Sequence, residues 1–257
     1  MSTPGPGLTG QKPFSIGAVW ADTLRVFSGN FANYLAVAMA IYLPIIVWYF
    51  VIAEDYGYIP VDENATFMQA FLATSSLLES LVTSVMEGLV YALLTVGAVA
   101  AVRGQSVDLR ESLARGAPVA VTTTGALLAY YILAGIGFVL LIIPGIIAMV
   151  FLILTPTIAA FEGVGVGAAL ERSNNLTRGH RASIFGSLLM IGIVTILVAA
   201  ILGSIFAAIE PLMFDASMTL AMPMFAVLSV CFGAALYVHL VEAKEGAPAE
   251  DMAKIFE

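Results

Sequence analysis

Glu87, in the run SVMEGLVYALL, is the one acidic residue set within a long apolar stretch of this 257-residue chain. A carboxyl group at membrane depth is costly to keep ionised, so such a residue reads by default as a site that handles a proton or a ligand. Phe71, Leu72, Leu78, Val82, Val85, Met86 and Leu89 extend a helical stripe around it. The helix can therefore start outside the apolar layer, which would leave Glu87 a hydrated carboxylate near the outer interface. Arg172, Arg178, His180 and Arg181 make the densest basic cluster and directly precede an apolar run. Cations so placed either fix topology or hold an anionic lipid headgroup, gaining roughly 1 kcal/mol each. His180 and His239 are the two histidines, and Cys231 is the single cysteine. That is too few for a histidine- or thiolate-based metal site, and no carboxylate pair or nucleophile accompanies them. The residues give no reason to expect an enzyme, a metal or a cofactor.

The elements that carry these residues follow from composition. Hydrophobic residues make up 60% of the chain and charged residues 11%, against roughly 45–50% and ~25% in soluble domains. With a mean hydropathy of +0.99, the solvent for most of the chain is lipid, and the expected class is an all-α polytopic transmembrane bundle. A crossing helix needs about 20 apolar residues to span roughly 30 Å of hydrocarbon. Six stretches approach that length: Tyr34 to Ala53, Leu81 to Val102, Thr122 to Ile143, Ile146 to Phe161, Ile184 to Ile209 and Met218 to Val241. The third and fourth are parted only by Pro144 and Gly145, which predict a tight hairpin turn there, since proline removes a helical donor and glycine permits reversal. The fourth also carries Pro156 and is the shortest. Residues 1–13 form a disordered cytoplasmic N-terminus in this reading, 14–241 the membrane domain and 242–257 a short cytoplasmic tail. The opening segment is broken by Lys12, Asp22 and Arg25 before any long apolar run, unlike a cleavable signal peptide.

All ten lysines and arginines fall on one side of this map. Basic residues near helix ends stay cytoplasmic, so both termini are expected inside. Glu54, Asp55, Asp62, Glu63, Glu79, Glu210 and Asp215 lie on the other side, with Trp48, Tyr49, Tyr56 and Tyr58 at the outer interface. A net charge of −8 argues against nucleic acid, whose phosphates need a basic face.

Each odd-numbered span is preceded by an element of amphipathic character. Ile16, Val19, Trp20, Leu24 and Phe27 recur at helical spacing with Asp22 and Arg25 opposite, as expected of a short helix lying in the membrane plane. SVDLRESLARG precedes the third span, with Asp108 and Glu111 at capping-box spacing and Gly116 able to close the helix. GVGAALERSNNLTRGHR precedes the fifth, and setting Gly17 over Gly167 also aligns Gly29 with Gly179. The predicted unit is an amphipathic cytoplasmic helix followed by a helical hairpin, three times over. Small residues recur every fourth position, Ala199, Gly203 and Ala207 on the fifth span and Ala36 and Ala40 on the first. They allow close helix approach within the bundle, a homodimer contact being the alternative.

The Pro144-Gly145 turn, Glu162 followed by glycines, the Glu171-Arg172-Ser173 to Thr177-Arg178-Gly179 run and an N-terminal helix ending in Gly29-Asn30 together resemble a family of six-span prokaryotic membrane proteins. That family includes the membrane domain joined to some glycerophosphoryl diester phosphodiesterases. The resemblance implies a bacterial inner-membrane location. The phosphodiesterase activity resides in a separate metal-dependent barrel of two hundred or more residues (roughly a barrel domain), for which the 16 residues after Val241 leave no room. No catalytic residue is transferred. The expectation is a non-enzymatic membrane module that binds membrane lipid, a protein partner or a second copy of itself. The alternative is a small transporter or channel built on Glu87 and on the prolines within spans, Pro44, Pro156 and Pro223.

Overall fold

The computed structural model describes residues 14–47, 77–106, 108–209 and 213–246. Every regular element among them is helical: α1 Ile16–Val47, α2 Leu77–Val102, α3 Leu109–Gly116, a 3₁₀ turn Ala117–Val119, α4 Ala120–Leu140, α5 Ile142–Leu152, α6 Thr155–Glu162, α7 Val166–Thr177, α8 Arg181–Ile209 and α9 Met213–Glu245. They make six units long and apolar enough to cross a membrane: Ile16–Val47, Ser80–Val102, Leu109–Leu140, Ile142–Glu162, Arg181–Val198 and Leu220–Glu245.

Between lipid-facing helices there is little hydrophobic driving force, so close packing of small residues has to select which helices become central. α2 and α9 do so: 67% of each apolar window is buried, against 11% for α8. A Cβ on Gly88 would lie 2.7 Å from the Cα of Thr124 on α4, and one on Gly233 would lie 2.5 Å from Thr157 Oγ1 on α6. Both glycines are therefore places where a neighbour occupies the side-chain position. α1 packs along α9 and α2, while α8 lies mainly against α9.

Three sequence expectations are corrected. α1 runs unbroken through Gly29 and Asn30, where the surface helix was expected to end. Its buried residues, Val19, Thr23, Val26, Tyr34, Ala38, Tyr42 and Ile46, form one stripe from end to end, and Asn30 Nδ2 donates to Val26 O at 3.2 Å, so nothing favours a break. Ala38 is the small residue on the packed face; Ala36 and Ala40 are exposed. The second correction concerns the reversal between the third and fourth spans, which falls at Leu141, in extended backbone (φ −165°, ψ 152°). Pro144 and Gly145 instead sit in the first turn of α5. Proline costs no hydrogen bond there, because the first amides of a helix lack intrahelical partners. Gly145 is needed for contact: a Cβ on Gly137 would lie 2.7 Å from its Cα. The tip itself is bare hydrocarbon, with Val139, Leu140, Leu141, Ile142 and Ile143 each between 69% and 88% exposed.

The third correction concerns Asp108. Asp108 occupies the N-cap of α3 but makes no capping hydrogen bond, and Gly116 keeps right-handed helical backbone. A Cβ on Gly116 would come within 2.1 Å of Ala92 O and 2.7 Å of Leu93 Cα. α3 does end at Gly116, in right-handed backbone, and the glycine also lets α3 lie directly against α2. The outer-side residues Trp48, Tyr49, Glu54, Asp55, Tyr56, Tyr58, Asp62, Glu63 and Glu210 lie outside the described residues, as do the side chains of Glu79, Ala199, Gly203, Ala207 and Asp215.

Candidate functional site

The fourth span is two helices. α5 and α6 are interrupted at Ile153 and Leu154, and Pro156 stands at the start of α6. An interrupted helix leaves backbone donors and acceptors that have to be matched. Ser173 of α7 supplies both roles, its Oγ donating to Phe151 O at 2.9 Å and accepting from Leu154 N at 3.2 Å. Thr177 Oγ1 adds a bond to Phe151 O at 3.3 Å. Ser112 of α3 acts likewise on α2, donating to Leu93 O at 2.7 Å and accepting from Gly97 N at 3.0 Å. A Cβ on Gly97 would lie 3.1 Å from that hydroxyl oxygen, so glycine makes room for the serine. Thr23, fully buried on α1, bonds Val19 O at 2.7 Å. Sequence reasoning missed these hydroxyls, although the alignment of Gly17 with Gly167 sets Thr23 over Ser173.

Around the hydroxyls lies a charged layer. Arg172 Nε donates to Glu162 at 3.0 Å, and its two terminal nitrogens hold both carboxylate oxygens of Glu245 at 2.6 and 3.1 Å. Hydrogen bonding to Glu245 and then to Glu162 keeps the guanidinium firmly charged against its partial burial. Tyr237 OH donates to the same Glu162 oxygen at 2.8 Å. Arg172 thus ties α6, α7 and α9 together. On the other side of α9, His239 Nε2 is 2.8 Å from Asp22, and Arg25 bonds Asp22 at 2.7 Å while donating to Ala101 O and Val102 O. These last contacts cap the carboxyl end of α2, where a cation is favoured.

The remaining basic residues have a different environment. Arg181 lies with its guanidinium carbon 3.3 Å from the centroid of the Phe151 ring and donates to Asn174 Oδ1 at 2.6 Å. Its Nε is buried without a partner. Arg178 is exposed, and among the described residues neither Arg178 nor Arg181 forms an ion pair. Lys244, from the end of α9, donates to Asn175 O and stands within electrostatic range of both arginines. His180 stacks on Phe14 with ring centroids 4.5 Å apart, and burial, then the nearby Lys244, pushes its basicity down. Of the four residues expected to meet a lipid headgroup, the fold brings Arg178, Arg181 and a weakly basic His180 together with Lys244. Arg172 is diverted to an internal ion pair.

Glu87 lies in a separate place. Its Oε2 accepts from Tyr131 OH of α4 at 2.7 Å. Tyr42 of α1, Tyr91 of α2 and Tyr130 of α4 stand within electrostatic range of the carboxylate. Glu87 itself is half-buried.

The geometry defines a class: an all-helical chain with six apolar helices of membrane-crossing length and a charged layer at one end of the bundle, compatible with a multi-pass membrane protein. Over residues 58–242 the chain matches the family described as a domain of unknown function, DUF7847, and it belongs to that family. No curated protein and no solved structure matches it.

Proposed function

We propose that this is a non-enzymatic module of the bacterial inner membrane whose cytoplasmic side binds an anionic lipid headgroup. The reading places both termini in the cytoplasm and treats the six apolar units as three hairpins, each introduced by an amphipathic segment on that side. The observation that carries it is the meeting of Arg178 and Arg181 with Lys244, itself near Glu245, at the start of α8, the two arginines forming no ion pair among the described residues. Like charges held together in this way are stabilised by an anion, and a juxtamembrane position makes a lipid phosphate the nearest source. Arg181 adds direction, since its ring contact and its bond to Asn174 fix the plane of the guanidinium. The resemblance to membrane domains joined to glycerophosphodiester-cleaving enzymes supports a headgroup-facing role. Native mass spectrometry of the purified protein tests the proposal. Phosphatidylglycerol should be retained over phosphatidylcholine, and Arg178→Gln should weaken that preference about fivefold; equal retention of both lipids by the unaltered protein rejects it.

One observation favours a second reading, a transporter of small molecules or lipids. The fourth span is unwound at Ile153 and Leu154 next to Pro156, and interrupted spans are common where solutes cross. Reproducible Glu87-dependent flux in proteoliposomes would replace the first reading with this one.

A further inference from the structure

We infer that Glu87 is a proton-binding site inside the apolar layer, formed where spans one, two and three meet and open toward lipid.

The depth of Glu87 follows from α3. Gly116 rests on Ala92 and Leu93, and Ser112 bridges Leu93 and Gly97. The exposed cations Arg110 and Arg115 on that short helix therefore stand level with this part of α2. Charged residues on a lipid-facing helix mark the water boundary, so the boundary crosses α2 near Ala92 and not at its end, Val102. Glu87 lies five residues farther in, about 7–8 Å at 1.5 Å per residue. The apolar unit of α2 continues seven residues beyond it to Ser80, about 10 Å more. The wetted outer-interface position allowed by the sequence is therefore not the one the packing of α3 gives.

At that depth the carboxyl group has one polar partner among the described residues, the Tyr131 hydroxyl. Among the described residues, the titratable groups facing it are Tyr42 from α1, Tyr91 from α2 itself and Tyr130 and Tyr131 from α4, with Cys231 of α9 within electrostatic range of Tyr91. All are neutral at physiological pH, and among the described residues no lysine, arginine or histidine pairs with Glu87. Keeping a charged side chain inside the apolar layer is costly. A bound proton removes that cost. An alkali cation would instead need several further oxygen ligands converging on the site, and one carboxylate with one hydroxyl does not provide them. The inference is independent of the headgroup proposal, because no residue is shared between the two sites.

The test uses the full chain in lipid nanodiscs and dicyclohexylcarbodiimide, an apolar reagent that adds whole to a protonated carboxyl group with no leaving group. A single adduct is expected at Glu87 by intact mass and peptide mapping, formed at mildly acidic pH and lost at alkaline pH. Glu87→Gln should lose it. Tyr131→Phe keeps the carboxyl but removes the donor that favours its ionised form, so labelling should persist to more alkaline pH. That shift separates proton binding from a purely structural pair and does not depend on Glu87→Gln folding. Three results would overturn the inference: no adduct at Glu87, labelling independent of pH, or equal labelling by a water-soluble carbodiimide. Protection by sodium at fixed pH would also overturn it, assigning the site to a metal cation.

Discussion

Arg172 and Arg178 are six residues apart on one short segment, yet the structure gives them opposite roles, and this can be measured. Among the described residues Arg178 is exposed without an ion pair, whereas Arg172 is held by Glu162 and doubly by Glu245. A juxtamembrane cation gains about 1 kcal/mol from anionic lipid, so Arg178→Gln alone should weaken headgroup binding by about fivefold. Joined to Arg181→Gln, the loss should approach 2 kcal/mol, or about thirtyfold. Arg172→Gln should leave lipid affinity within about twofold, because its charge is already neutralised by two carboxylates at contact distance. It should instead lower thermal stability, since among the described residues Glu162 then keeps Tyr237 alone and α7 is left joined to α9 by the Lys244 bond to Asn175 O. The assay is a titration of short-chain phosphatidylglycerol into detergent-solubilised protein, with retention read by native mass spectrometry and melting by scanning fluorimetry. The whole effect should shrink with added salt as the Debye length falls below ~10 Å. If Arg172→Gln weakens lipid binding as much as Arg178→Gln does, the assignment of partners is wrong and the cluster acts only as a diffuse field.

Ser173→Ala should destabilise more than Ser112→Ala. The first leaves the Leu154 amide at a helix break with no partner, a cost of about 1–3 kcal/mol. The second frees Leu93 O and Gly97 N, which as an i,i+4 pair can bond each other, so the loss should stay below about 1 kcal/mol. Thermal melts of the two variants in one detergent decide this. Gly116→Ala should cost about 1–3 kcal/mol, because its methyl group would meet the Ala92 carbonyl. Gly135→Ala, with nothing within 4 Å of the new methyl, should be neutral or stabilise by up to about 1 kcal/mol; similar melting of the two refutes the close contact. A cysteine at Leu141, in a Cys231→Ala background, should resist a membrane-impermeant maleimide in sealed vesicles, since the tip carries five consecutive exposed aliphatic residues. Rapid labelling from either side would show that the tip emerges into water.

The six apolar units and the all-helical class were legible in the sequence, because each depends on local composition and on the length a helix needs to cross hydrocarbon. The density of the cation cluster was legible for the same reason. What each cation meets was not. Glu162 and Glu245 lie ten and seventy-three residues from Arg172, and only the packing of α6, α7 and α9 brings them together. Pro144 and Gly145 drew the hairpin turn toward themselves, yet proline is tolerated in a first helical turn and the reversal settled at Leu141. Gly116 ends α3 as the sequence suggested and is also a contact surface, a second role that depends on where Ala92 lies. Glu87 shows the division most clearly: its presence in an apolar run is a fact of sequence, while its depth depends on α3 leaning against α2. Composition determines that a helix enters lipid; how far in any one residue sits is decided by the helices packed beside it.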